Sequence, residues 1–379
     1  MNTLPTELLG DIVNEAVLST ADLLNIARVS RLFNELAAAR LYRTGELSYL
    51  GATERDTQKV ETYSRHGKHV RTLTLNLCPH RSSPVTLIPT ELPRLLRPLT
   101  NLHSFTLLDA ASLPWPDFTT LLAKLITTHF ALKHLELQCS LSAIDGTQDI
   151  SQARRILHPP GAAATSTCKL DSFTLRVSAK HGTIDRSAID DLIEILLPAS
   201  RSAKTFSYSC DFRESPPDAT PNRSRSTIGS NTGRRSWEWD NLEELSLKLP
   251  TSWTRSSPAY GIHPNSQTTL RQDLHNVTKL SIKTGTDDLF DEINNAFEFG
   301  LASLPALRHI RISQASTYRL DWDPRGKPNH TFWKFARTLP HLAFLEQTDP
   351  YYMARTIQTW SIDRNKDDVD NITFRPLPL

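Results

Sequence analysis

Six cationic or titratable side chains recur at matching points of one pattern in this sequence: Arg176, Lys248, Lys279, Lys283, His309 and Arg311. Each flanks one of the last two apolar positions of an apolar-x-x-apolar-x-apolar motif. Side chains alternate across a strand, so residues beside the inward apolar positions share the opposite face. The chemistry expected of such a face is anion binding, through charge-assisted contacts to an acidic or phosphorylated segment of a protein target. Glu244 is the single acid counted among them. The early copies offer Thr72, Thr74, Asn76, Ser104 and Thr106, then His134, Glu136 and Gln138. A solvated sheet face with no specific ligand is the plainer reading of the same lysines. Trp237, Trp239, Trp253, Tyr351 and Tyr352 read either as a second contact surface or as loop anchors.

Catalytic patterns are missing from the sequence: it has no GxSxG, HExxH, phosphate-binding Walker loop, GxGxxG or CxxC. Asp287-Asp288 reads as a helix start and Asp367-Asp368 as part of a charged tail. No catalytic residue, metal or cofactor is expected, and the chain is read as a binder, not an enzyme. Cys78, Cys139, Cys168 and Cys210 are far apart and suggest neither a zinc site nor a disulfide framework. Cys139 and Cys210 fall at the inward register and read as small buried hydrophobes. With 43 basic and 41 acidic residues the net charge is +2, so no global field calls for nucleic acid or an anionic membrane. The opening MNTLPTELLGDIV lacks the basic and apolar regions of a signal peptide, and no apolar run could span a bilayer. A reducing cytoplasmic and/or nuclear location fits best.

The elements that must position the six come from a repeat. The motif appears as Val70-x-x-Leu73-x-Leu75, then at Leu102, Leu132, Leu170, Ala203, Leu242, Val277 and Leu307, with a weak last copy at Leu342 and Leu345. Glu46–Leu50 is a candidate earlier strand. Middle positions are 30 to 39 residues apart, against roughly 20–29 for ordinary leucine-rich repeats. Helical segments fall between them at 116–130, 185–197, 287–301 and 330–339. The fold class expected is an α/β repeat: an irregular leucine-rich-repeat-like solenoid with a curved parallel sheet over 69–379, recognition on its concave side. Residues 213–236, rich in Pro, Ser, Thr, Asn and Arg, read as a disordered insertion. Residues 363–379 read as a tail that caps the last repeat or frays. A doubly wound domain is disfavoured because no glycine-rich loop follows a strand.

Before the array, 4–42 reads as three short helices with apolar stripes at Leu8, Leu9, Ile12, Val13 and Ala16, at Leu23, Leu24 and Ala27, and at Leu32, Phe33, Leu36, Ala37 and Leu41. Thr3, Ser19 or Thr20, and Ser30 are the candidate caps. Helices this short need a partner surface or a neighbouring domain. The string LPTELLGDIV…ADLLNIARVSRLFNELAAARLYRT resembles the F-box, particularly that of fungal proteins, with Phe33 where many members have tryptophan. The resemblance implies an F-box over 1–45, followed by a connector at 46–68. It implies docking on a Skp-type adaptor, and through it a cullin, with Leu4, Pro5, Leu8, Ile12 and Leu23 in the adaptor interface. The expected function is substrate recognition for an SCF-type cullin-RING ubiquitin ligase, a non-degradative interaction scaffold being the alternative.

Overall fold

The structure is a computed structural model, and it describes residues 5–15, 17–48, 54–77, 95–108, 110, 113–140, 150–161, 163, 165–179, 186–212, 239–248, 274–284, 290, 301, 304–314, 330–348, 356–365 and 368–378. The expected insertion at 213–236 and nearly all of the helix expected at 287–301 lie outside these residues. The chain divides into two compact units, Met1–Leu137 with Asp149–Cys168, and Gln138–Gln148 with Lys169–Leu379.

The first unit opens with three helices, α1 (Thr6–Glu15), α2 (Thr20–Ala27) and α3 (Arg31–Leu41). Two of the caps read from sequence are in place. Ser19 accepts from the Asp22 amide while the Asp22 carboxylate accepts from the Ser19 amide, a reciprocal capping box. Ser30 accepts from the Phe33 amide and starts α3. The segment expected as a connector holds β1 (Thr44–Ser48) and α4 (Glu54–His66). Then come β2 (Thr72–Asn76), β3 (Ser104–Leu108), α5 (Trp115–Thr128), β4 (His134–Ser140) and α6 (Ser151–Leu157). β1 to β4 pair in sequence order and in parallel.

The second unit carries β5 (Ser172–Ala179), α7 (Arg186–Ser200), β6 (Thr205–Phe212), β7 (Glu244–Lys248), β8 (Lys279–Thr284), β9 (His309–Gln314), α8 (His330–Thr338) and β10 (Phe344–Thr348). β5 to β10 again pair in parallel, in order. The tail expected to cap or fray is a hairpin: β11 (Thr356–Asn365) and β12 (Asp368–Leu377) continue the sheet in antiparallel sense. Its apolar residues alternate, and Trp360, Ile362 and Ile372 are buried, which is the pattern a strand with one covered face requires.

The middle residues of the motif stand in exact register. In the second unit Phe173, Phe206, Leu245, Leu280, Ile310 and Leu345 form one buried column; in the first, Leu73, Phe105 and Leu135 form another. Each rung is locked to the next by one carbonyl that accepts two consecutive amides. Arg71 O takes the amides of His103 and Ser104, and Glu243 O takes those of Thr278 and Lys279.

The motif extends three residues upstream. Val70, Leu102, Leu132, Ala203, Val277, Leu307 and Leu342 each donate their amide to the carbonyl three residues before. Those upstream residues are Gly67, Leu99, His129, Ser200, Leu274, Leu304 and Leu339, all buried. Gly67 is required there because a Cβ would come within 2.6 Å of the Pro98 carbonyl oxygen.

His129 sits in this buried position and makes a 3.1 Å Nδ1 contact with Leu99 O. A carbonyl can only accept, so Nδ1 carries the proton. Burial pushes its pKa below the ordinary histidine value, against the pull of that hydrogen bond. The folded state therefore resists a second proton. Its stabilisation is complete above the unfolded value of about 6.5 and is lost as pH falls through the lower folded value. Urea unfolding of the wild type should weaken below pH ~6.5, and His129→Asn, which keeps an N–H near the Nδ1 position, should flatten part of that decline.

At the far end Arg364 of β11 donates to the carbonyls of Ala336 (3.0 Å), Leu339 (2.8 Å) and Leu342, bracing the end of α8 and the lead-in to β10 that follows it. Burial lowers its pKa. Arg364→Met should cost roughly 2–3 kcal/mol, the scale of hydrogen bonds from a charged donor, in chemical unfolding.

Candidate functional site

Two surfaces answer to the residues singled out above, one in each unit. In the first, α1 to α3 close around Val13, Leu23 and Ala37, with Leu18, Ile26, Ala27, Leu36 and Leu41 packed against them. Arg40 donates to the Val13 carbonyl and Asn34 to that of Ala27, at 3.2 Å, tying α3 to the ends of the other two.

That core uses only some of the apolar residues. Leu8 is 48% exposed, Ile12 55% and Leu24 49%, and Val17, Val29 and Leu32 are exposed as well. Leu8 and Ile12 are four apart on α1 and so share a face. The expected adaptor set therefore divides. Pro5, Leu8 and Ile12 are on the surface, Leu4 lies outside the described residues, and Leu23 is 5% exposed in the three-helix core. The neighbouring Leu24, which the sequence reading did not single out for the interface, is exposed instead. An isolated exposed leucine is ordinary; here Leu8, Ile12, Leu24 and Leu32 are all exposed on the helices of one small domain.

Residues 1–45 match the F-box-like family. They are an F-box-like domain. F-box domains in general bind Skp-type adaptors and serve as the adaptor subunits of SCF-type ligases. No curated protein matches the chain. The F-box-like domain runs without a break into the sheet of its unit. The Tyr42 ring just after α3 stacks on His66 at 4.1 Å between ring centroids and meets Tyr63 of α4 edge-on at 6.3 Å.

The second surface is the sheet face of the second unit opposite its buried column, and all six residues read from sequence are on it. Strand register sorts the face into three rows. One row runs Glu244, Lys279, His309 and Phe344. The middle row runs Ser207, Ser246, Ser281, Arg311 and Glu346. The third runs Arg176, Ser209, Lys248, Lys283 and Ser313. Adjacent strands are about 4.8 Å apart, so the three serines form a floor about 10 Å long between two rows of longer side chains.

This face is less uniformly basic than its sequence suggested. Lys279 Nζ lies 2.6 Å from Glu244 Oε1. Glu346, which the count of acids omitted, is 5% exposed, and its Oε2 lies 3.0 Å from both Arg311 Nε and His309 Nε2. These are ion-pair distances; neither N–H is aligned for a hydrogen bond. His309 is held below the ordinary histidine pKa, first by burial and then by Arg311 and Lys279, with Glu346 opposing. Glu346 flanks Leu345 as Arg311 flanks Ile310, so parity places it on the face, but the sequence reading took no face residues from the weak last copy.

The remaining expectations resolve individually. Trp239 is buried against Phe206 at 4.8 Å between ring centroids, as a loop anchor, while Trp237, Trp253, Tyr351 and Tyr352 lie outside the described residues. Cys139 is buried as expected; the surroundings of Cys210 and the whole of Cys78 are outside the described residues. Burial pushes the Cys168 thiol up to about 12, so it is no nucleophile at neutral pH. Among the described residues no cluster of His, Cys, Asp and Glu could hold a metal ion. No helix among them is long and apolar enough to cross a membrane.

The division of apolar residues predicts opposite outcomes for two leucines of the F-box-like domain. Leu23→Ala should destabilise it by about 2–4 kcal/mol, as burial-to-cavity changes do. Leu8→Ala should stay within about 0.5–1 kcal/mol, both read by thermal and chemical unfolding.

Proposed function

We propose that this protein is the substrate-recognition subunit of an SCF-type cullin-RING ubiquitin ligase. Its fungal-type F-box docks a Skp-type adaptor, and through it a cullin; the body, a leucine-rich-repeat-like solenoid, binds the protein to be ubiquitinated. The observation that carries the reading is the F-box-like match over residues that leave Leu8, Ile12 and Leu24 exposed beside a complete small core. A helix-in-groove contact needs apolar anchors at that spacing. Ubiquitin chemistry belongs to other subunits, and this chain supplies position only. The setting is the reducing cytoplasm or nucleus.

The target is an acidic or phosphorylated protein segment, received on the concave face of the solenoid by Arg176, Lys248, Lys279, Lys283, His309 and Arg311. Charge complementarity favours it. Lys248 and Lys283 are direct register partners, so two positive charges stand side by side on the face that an anion would meet.

Two measurements test the two halves. Affinity capture with the intact chain should bring down the Skp-type adaptor and a cullin, and a Leu8→Asp, Ile12→Asp double variant should lose both while remaining folded, since both positions are already in water. Wild type that captures neither overturns the ligase reading. Reversing Lys279 and Lys283 to Glu should abolish target ubiquitination and capture while leaving adaptor binding unchanged; capture that survives refutes the cationic face as the target site.

A further inference from the structure

Glu346 is out of place on a face built to receive anions. Its charge opposes any acidic ligand, and a buried ion pair is weak grounds for stability, because desolvation offsets much of the attraction. Its geometry supplies another role. Glu346 is the register partner of Arg311 on the next strand. It meets Arg311 at Nε, which is buried, although the Arg311 side chain as a whole is 42% exposed. With Nε buried, the exposed 42% of the Arg311 side chain belongs to its other atoms. The same Glu346 oxygen meets His309 Nε2, so two side chains from β9 are drawn to one point of β10.

We propose that Glu346 is a positioning residue: it turns Arg311 so that the terminal fork of the guanidinium, not its Nε edge, meets two of the three terminal oxygens of a phosphoryl group on the target. This rests on the reading of the cationic face as the target site. Ser281 is the register neighbour of Arg311 on the other side, and Ser246 and Ser207 continue the row. Their short side chains leave the approach to the fork open. Lys279 and Lys283 flank Ser281 on its own strand, two residues to either side. A phosphoryl group with three acceptor oxygens can use a planar fork, a hydroxyl and an ammonium together; a carboxylate has two oxygens and uses fewer.

The test has one arm without a ligand and one with. In nitrogen–proton NMR of the full chain, the Arg311 Nε signal, assigned by its loss in Arg311→Lys, should exchange slowly with water. In Glu346→Gln it should exchange at least tenfold faster at an unchanged melting midpoint. In fluorescence anisotropy, a degenerate library with a central phosphoserine should bind wild type more tightly than the same library carrying aspartate. Glu346→Gln should weaken the phosphoserine library about tenfold without weakening the aspartate one, and Arg311→Lys should erase the preference although the charge is kept. If Glu346→Gln instead tightens both libraries alike, Glu346 only subtracts charge and the proposal is overturned; unchanged Arg311 exchange overturns it too. Wild type that binds neither library while Arg311 behaves as described refutes the target-site reading and the anion half of this proposal, and supports the positioning half.

Discussion

A parallel strand cannot satisfy its own main chain, and everything else in this protein follows from how each rung settles that demand on the next. One carbonyl ahead of a strand accepts two amides of the following rung, and a buried turn three residues upstream aims the chain into the strand. With the backbone fixed at both points, the middle apolar residues have one register open to them. That register makes the columns Leu73–Phe105–Leu135 and Phe173 to Leu345. It equally fixes what lies on the other face, because side chains alternate. The rows containing Lys279, Arg311 and Lys283 are thus a by-product of a hydrogen-bonding constraint.

This is why the strands were plainer in the sequence than their lead-ins. The strand core accepts mainly large apolar residues at fixed offsets, and that repetition is visible despite intervals of 30 to 39 residues. The upstream position requires only a side chain that fits beside the neighbouring rung. Leucine recurs there as Leu99, Leu274, Leu304 and Leu339, but Gly67, His129 and Ser200 break the pattern. The closing hairpin was obscured differently: its alternation, Thr-Trp-Ser-Ile against Asn-Ile-Thr-Phe, is short and flanked by charges and prolines that read as a tail. β1 was legible only as a candidate strand at Glu46–Leu50, two residues late, because Gly45 and Leu47 replace the usual pair of large residues, and α4 was not read at all.

The surfaces were legible to different depths. All six residues of the cationic face fell on one side because parity alone decides it. Their neutralisation by Glu244 and Glu346 depends on cross-strand distances that no single strand reveals. In the F-box-like domain, one set of leucines and isoleucines is divided between the internal core and the exposed surface. Leu23 and Leu24 are adjacent and identical in kind, and only the packing of three helices assigns the first inward and the second outward.

The alternation of columns and rows has a consequence for how such a protein changes over time. Replacing Ser246, Ser281 or Lys283 leaves every residue of the buried column and every inter-rung amide where it was. This outward face can therefore drift, or be rewritten by an engineer, one side chain at a time and almost without regard to folding. Glu346 is an exception. It is 5% exposed and meets both Arg311 and His309, so replacing it alters the surroundings of two neighbours at once.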